Sequence, residues 1–528
     1  MAKTPLLPDI TEAERTPVVT QLLEVMHYQA ELIQSLRDEI AVLKGNNPKP
    51  NIKPGKMEKG TKGNEDKEAS EGKRPGSSKR SKKEQLKVHK TISLPAENIP
   101  EGSRFKGYRN VIVQGIIIQS HNIRYRIERW EAPDGSYVEG KLPSTVRGHF
   151  DSMLISYVLC QYYQCHVTQP LLLEQLHEIG VEISSGQISR ILVEGQDSFH
   201  VEKDGILSTG LEISSYINVD DTGARHDGKN GFCTHIGNEL FGWFESTESK
   251  SRINFLNLLR AGRKDYCINS EALGYMKAQK LPKTQLQFLE NHEQKIFFNE
   301  EEWESHLKRL GLTQKRHIQI ATEGALIGTI LKNGFNPDMV ILSDDAGQFN
   351  VFLHALCWIH AERTIHKIIP FNDSQRSDLE LIRDKIREFY NDLKAYKENP
   401  TPKKKIELEG RFDKIFQEET CFVTLNLALK RLHKNRVELL LVLDRPEIPL
   451  HNNASETDIR EYVKRRKISG GTRSYSGRRC RDTFTSLKKT CRKLGVPFWE
   501  YLMDRTEGRN AIPQLSYLMR QKLLASIY

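Results

Sequence analysis

Three acidic residues in this chain have surroundings that suit chemistry. Asp220 follows the run Tyr216-Ile217-Asn218-Val219, and Asp344 follows Met339-Val340-Ile341-Leu342-Ser343. Both runs read as strands, so each predicts a carboxylate delivered at a strand end. Glu456 lies in His451-Asn452-Asn453-Ala454-Ser455-Glu456, on a predicted helix. Such acids suit a hard divalent cation, because magnesium takes oxygen ligands and is usually held by one or two carboxylates plus waters and substrate phosphates. Two such ions can clamp the attacking and leaving oxygens of a phosphoryl transfer. If the three acids converge, the chain cuts or joins nucleic acid. Taken singly, an Asp after a strand is also an ordinary turn former or helix cap.

Cations crowd the stretch after Glu456: Arg460, Lys464, Arg465, Arg466, Lys467, Arg473, Arg478 and Arg479. On a helix, positions 456, 460, 463, 464 and 467 share a face, so Arg460, Lys464 and Lys467 are expected to flank the acid and to hold phosphates. A second DNA-facing candidate lies upstream. Leu171-Leu172-Leu173-Glu174-Gln175-Leu176-His177-Glu178-Ile179 is amphipathic and stops at Gly180. A second helix begins near Ser184 or Ser185 as cap, so the pair reads as a helix-turn-helix or an ordinary helical hairpin. In the first case Gln187, Ser189 and Arg190 face DNA.

These motifs resemble those of the DDE transposases of the insertion-sequence-66 family. Asp220-Asp221-Thr222 matches the first acidic motif and Ser343-Asp344-Asp345 the second. Cys357-Trp358-Ile359-His360-Ala361-Glu362-Arg363 matches the family's C-W-A-H helix. Asn452-Asn453-Ala454-Ser455-Glu456, with Arg465-Arg466-Lys467-Ile468-Ser469-Gly470-Gly471 behind it, matches the last block. The similarity spans roughly residues 149–504. Thr457 stands where the family usually has Arg, and both Asp motifs are doubled, so Asp221 and Asp345 remain alternative ligands. The resemblance implies a metal-dependent transposase with a ribonuclease-H-like catalytic core, Asp220, Asp344 and Glu456 as catalytic ligands of two Mg2+ or Mn2+ ions, and DNA (element ends and target) as partner. A non-catalytic, sequence-specific DNA-binding protein derived from a transposase is the alternative.

The elements that must position these residues follow from pattern. With 528 residues the chain exceeds one ordinary core. The net charge of +10 favours a polyanionic partner. Mean hydropathy is −0.56, and no apolar run approaches the ~20 residues that cross a bilayer. No signal-peptide core follows Met1, and the 8 cysteines form no disulfide framework. A cytoplasmic protein with no membrane partner is expected, and the resemblance implies a bacterial, nucleoid-associated one.

Residues 1–44 are expected to hold a coiled-coil helix, with Met26, Ile33 and Ile40 at position a and Leu22, Gln29, Leu36 and Leu43 at position d; it would make a homodimer. Residues 45–90 are rich in Lys, Gly, Pro, Ser and Glu and predict a disordered basic linker. A small β module is expected over residues 91–147, with strands at 111–118 and 125–130 around the turn signal Pro133-Asp134-Gly135-Ser136. Its lack of Cys predicts no zinc finger. A helical DNA-binding region follows over 148–210, then an α/β catalytic domain over 211–505 and a helical tail over 506–528.

Within the catalytic domain, Phe232-Cys233-Thr234-His235-Ile236 and Leu240-Phe241-Gly242-Trp243-Phe244 predict a hairpin around Gly237-Asn238-Glu239, followed by a helix over 252–259. Roughly 110 residues part Asp344 from Glu456, more than an ordinary connection, which predicts a helical insert at 374–443. His354, Cys357 and His360 recur every three residues, which on a helix places them near one face and admits a zinc reading. Packing is the reading preferred, and no zinc is expected.

Overall fold

A computed structural model describes residues 87–527 apart from 97, 99 and 144, together with the isolated Val19. The expected coiled coil, and the linker up to residue 86, lie outside the described residues. The strands expected at 111–118 and 125–130 do not form as such: residues 104–128 carry no helix or strand. Val113, Ile116 and Ile117 are exposed, and among the described residues no neighbouring strand pairs with theirs. A strand without a neighbour leaves its backbone groups to solvent. Pairing is confined to short ladders, one of them Arg129–Glu131 against Tyr137–Glu139. Pro133-Asp134-Gly135-Ser136 makes the turn between them, with the Ser136 amide donating to Asp134 Oδ1 at 3.0 Å.

The helical region is laid out as its caps dictate. Helices Gln169–Glu178 and Ser185–Val193 pack on each other around Gly180, which has a positive φ. Ser184 caps the second helix through a capping box: its hydroxyl accepts from the Gln187 amide and the Gln187 side chain accepts from the Ser184 amide. The longer Asp197–Ile213 helix then leads into the main sheet.

That sheet has five strands: β1 (Tyr216–His226), β2 (Lys229–Gly237), β3 (Gly242–Thr247), β4 (Val340–Ser343) and β5 (Leu353–Leu356). Their spatial order is β5-β4-β1-β2-β3. β1, β2 and β3 form an antiparallel meander, while β4 is parallel to both β1 and β5. The β2–β3 turn is longer than the sequence pattern suggests. Gly237 pairs with Gly242, so residues 238–241 form the loop. Asn238 closes it, its amide donating to the Phe241 carbonyl and its side-chain oxygen accepting from the Leu240 amide. A Cβ at Gly237 would lie 2.4 Å from the Phe241 carbonyl oxygen, so this close turn needs glycine.

Strand alternation divides the core in two. Ile217, Val219 and Ile341 enter one core with Ile236, Trp243 and the upstream helices. Val340, Leu342, Ala355 and Leu356 enter the other, with Trp358, Phe389 and Phe412. β4 is therefore buried on both faces, as expected of a strand with parallel neighbours on both sides. The second core belongs to helices that fill the stretch between β5 and Glu456. They are Asp373–Glu398, Pro402–Phe416 and Val423–Lys434, with the short Arg436–Leu440. Helix Arg252–Leu259 forms at its expected position. Four further helices follow it before β4, ending with Lys315–Lys332, and no signal singled them out.

Three helices finish the surroundings of the acids: α1 (Trp358–His366), α2 (Asn453–Ser469) and α3 (Tyr475–Leu494). α3 covers the open edge of β3. Asp482 accepts from the Ser246 amide at 2.8 Å, Ser486 from Phe244 at 2.9 Å and Thr490 from Gly242 at 3.3 Å. Acceptors spaced four apart on one helix face thus meet donors spaced two apart on the strand. The edge is satisfied without another strand.

Candidate active site

β1 does not end at Asp220, as the apolar run suggested, but continues to His226. The strand outlasts its apolar stretch because β2 pairs with it along its whole second half. Asp220 is therefore a mid-strand residue. Alternation places it on the face of Asn218, opposite Ile217 and Val219. Asp344 does follow its strand directly. β4 pairs with β1 through Val340–Tyr216, Ile341–Ile217 and Leu342–Asn218. Two more residues in that register bring Asp344 opposite Asp220.

Glu456 arrives from the first turn of α2. The position of that turn is set by Asn452, which is buried beneath it. The Asn452 side chain donates to the Val219 carbonyl at 2.8 Å and accepts from Asn218 Nδ2 at 2.8 Å. Its backbone amide points at Cys357 Sγ, 3.2 Å away. The residue before the helix is thus bonded to the strand residue before Asp220, and one helical turn later comes Glu456. Ser455 and Asp458 add a second attachment. His235 of β2 lies between them, with Nδ1 2.6 Å from Ser455 Oγ and Nε2 3.2 Å from Asp458 Oδ2. Lys493 Nζ lies 2.8 Å from the same carboxylate.

The electrostatics of the acids record their crowding. Burial, then the charge of Asp344, pushes the Asp220 carboxyl up to about 8, and Asp221 and Glu456 add to the rise while the Asp221 amide opposes it. Glu456 is flanked by two cations, Arg363 Nη1 at 3.5 Å and Arg460 Nη2 at 3.8 Å, and by the His360 imidazole, Nε2 at 3.7 Å, whose pKa burial pushes down. Its Oε1 is nonetheless buried without a hydrogen bond.

The doubled acids are separated by their partners. Asp221 accepts from Thr234 at 2.5 Å and Gln348 at 3.0 Å. Asp345 is bound by Arg431 and Asn435 of the inserted helices. Asp220 receives only the Asp221 amide among the described residues, at 2.8 Å, and Asp344 only the Ala346 amide at 3.2 Å.

An all-oxygen donor set, a buried oxygen without a hydrogen bond and a carboxylate destabilised by like charge fit a divalent cation. Among the described residues, no three His, Cys, Asp or Glu side chains are gathered tightly enough to hold an ion as they stand.

The His354, Cys357 and His360 trio does not lie on one helix. His354 is in β5, where backbone pairing with β4 overrides the helical spacing, and α1 begins only at Trp358. His354 Nε2 meets Ser343 Oγ at 2.8 Å, and burial pushes its imidazole down to about 4. Burial pushes the Cys357 thiol up to about 11.

The basic stretch splits. Lys464, Lys467, Arg473 and Arg479 are exposed. Arg465, expected to face DNA, is instead buried: it donates to the Tyr162 carbonyl at 2.8 Å and stacks on the Tyr162 ring at 3.8 Å. It falls on the face of α2 that packs inward. Arg466 binds the Gly223 carbonyl of β1, and Arg478 lies over the Tyr475 ring at 5.5 Å. Upstream, Arg190 is exposed, while Gln187 is engaged in its capping box.

Sequence reading missed Asn218, His235, Gln348 and the positioning role of Asn452. The paired asparagines of the last motif were the available signal. A polar Asn218 inside an apolar strand was another.

Comparison with known proteins agrees with the geometry. Residues 321–479, which include Asp344, Glu456 and the whole of α1, match the family described as Transposase IS66 family. A protein of Sinorhizobium fredii named as uncharacterized protein y4jO is 43% identical over 321 residues, 60% of this chain and 100% of that protein. Among the described residues no helix is long and apolar enough to cross a membrane. With a relative matched along its full length and the family's motifs placed around one pair of strands, the chain belongs to the Transposase IS66 family.

Proposed function

We propose that this transposase-family chain is catalytic: a DDE-type enzyme that cleaves the ends of an insertion sequence and joins them to target DNA. The observation that supports the reading is that Asp344, just after β4, and Glu456, brought in by the Asn452 attachment, are both near enough to Asp220 of β1 for their charges to raise its pKa. The sheet order supports a ribonuclease-H-like core, an antiparallel meander extended by two parallel strands on the side of its first strand.

Asp220, Asp344 and Glu456 are the ligands for Mg2+ or Mn2+, two ions in the working complex. Bound there, the metal supplies an activated water or DNA 3′-hydroxyl and charge stabilisation of the leaving oxygen. The chain's own residues do the rest. Arg363 and Arg460 orient Glu456. Arg460, Lys464, Lys467, Arg473, Arg478 and Arg479 contact DNA phosphates, which fixes register without choosing sequence. Arg190 reads or holds element DNA from the upstream helix pair. Two ends must be joined, so two chains act together.

The second reading is a DNA-binding protein without catalysis. One experiment separates the two. The full chain is incubated with a supercoiled plasmid carrying the DNA that flanks its own coding sequence. Magnesium-dependent nicking and strand transfer, absent with EDTA and with Asp220→Ala, supports the enzyme. Specific binding with no cleavage in any divalent metal supports the alternative.

A further inference from the structure

Beside the three acids lies a cleft of about 410 Å³ that they do not themselves explain. One wall is Asp344 and the other is α1, whose His360, Arg363, Thr364 and Lys367 form a single stripe at helical spacing. The far end is apolar, closed by Leu432 and Leu439 of the inserted helices and by Leu356 of β5. Lys367 is exposed and has no ion pair among the described residues. Asp345, also at the cleft, is already neutralised by Arg431.

We propose that this cleft is a subsite for one unpaired nucleotide of the DNA strand, adjacent to the phosphate under attack. The inference rests on the transposase reading and deepens it. The volume lies in the range that takes one small ligand, whereas a duplex, with a major groove alone about 12 Å wide, cannot enter. The cationic stripe holds the nucleotide's phosphate, with Lys367 as its unpaired donor among the described residues and Arg363 shared with Glu456. The apolar end receives the base, which every nucleotide can present, so the subsite tolerates sequence. Asn435, at the same end, offers a polar group to a base edge. The nucleotide must leave its stack to enter, which costs least at a frayed or nicked end.

The test is a photo-crosslink read by mass spectrometry. The full chain is mixed, in EDTA, with a short duplex bearing a single unpaired 3′ 5-iodouracil nucleotide. Crosslinks are expected on peptides containing Leu356, Leu432 or Leu439. Lys367→Glu should cut their yield about tenfold, in line with loss of one charge-assisted phosphate contact, and leave thermal unfolding unchanged because the side chain is exposed. Crosslinks confined to peptides outside the cleft, or an unchanged yield in Lys367→Glu, overturn the subsite. Because no metal is present, the result is independent of catalysis. Plasmid cleavage without cleft crosslinks leaves the transposase reading standing and removes the subsite, and cleft crosslinks without cleavage do the reverse.

Discussion

Asp220 in β1 and Asp344, the residue that follows β4, each come two residues after the paired Asn218 and Leu342 of neighbouring parallel strands. Parallel strands are roughly 4.8 Å apart. Burial, and then the charge of Asp344, pushes Asp220 up to about 8. A cation between them would reverse the penalty. That relationship underlies the predictions that follow.

Substitution at the three acids should separate chemistry from binding. Asp220→Ala, Asp344→Ala and Glu456→Gln are each expected to lower plasmid cleavage by about three orders of magnitude, with DNA affinity in gel-shift assays near that of the parent. Asp221→Ala and Asp345→Ala should cost only about tenfold, since those carboxylates are engaged by Thr234 and Gln348 or by Arg431. Robust strand transfer by Asp344→Ala with loss in Asp345→Ala would move the ligand to the neighbour.

The Asp220 carboxyl should make stability depend on pH in the metal-free protein. Its ordinary value is 3.8 and its folded value about 8, so folding favours the protonated form. The contribution is fully present below about pH 3.8 and lost as pH rises through about 8. Asp220→Asn mimics the protonated acid, so its melting temperature should gain on the parent between about pH 4 and about pH 9. Magnesium should raise the parent's melting temperature most at the alkaline end. A constant difference between the two proteins across that range would mean that Asp220 titrates normally.

Metal choice follows from oxygen-only ligation. Magnesium and manganese should support cleavage, while calcium should permit DNA binding with poor chemistry because of its looser geometry. Cleavage that persists in EDTA would rule out the mechanism. Stoichiometric zinc in protein purified without added metal would bring back a metal role for His354, Cys357 and His360.

Asn452 should matter for fold and activity together. Asn452→Ala leaves the Val219 carbonyl and Asn218 without their buried partner, at roughly 1–3 kcal/mol for each unsatisfied group. Thermal unfolding should shift down by several degrees, and cleavage by the folded fraction should fall because Glu456 loses its attachment. An unchanged melting temperature would show that the helix is held elsewhere, with the His235 contacts as the next candidate.

The basic residues of α2 should divide by burial. Lys464→Ala and Lys467→Ala are expected to weaken DNA binding about equally for all sequences and each to reduce the salt slope by about 1. Arg465→Ala should instead lower stability, because its guanidinium bonds and stacks on Tyr162. A salt slope that falls in Arg465→Ala as much as in Lys464→Ala would contradict this division.

Much of the site was legible along the chain because local pattern carries it. The apolar runs before Asp220 and Asp344 announced strands, and the Asn452-Asn453 pair with Glu456 announced a helix start. The inserted helices showed in their charged amphipathic pattern and in the excess length between Asp344 and Glu456. What the one-dimensional pattern lacked was partnership. Asp220 is mid-strand because β2 pairs beyond it, residues 111–118 form no strand because among the described residues nothing pairs with them, and His354 is in a strand because β4 is its neighbour. Arg465 and Lys464 look alike in sequence, and only the packing of α2 decides which is turned inward. Residue types and spacing determined which groups this protein has for chemistry. Only the tertiary structure shows that Asp221 and Asp345 are the members of their pairs engaged by side chains, because the hydrogen bonds from Thr234, Gln348 and Arg431 come from segments distant in sequence.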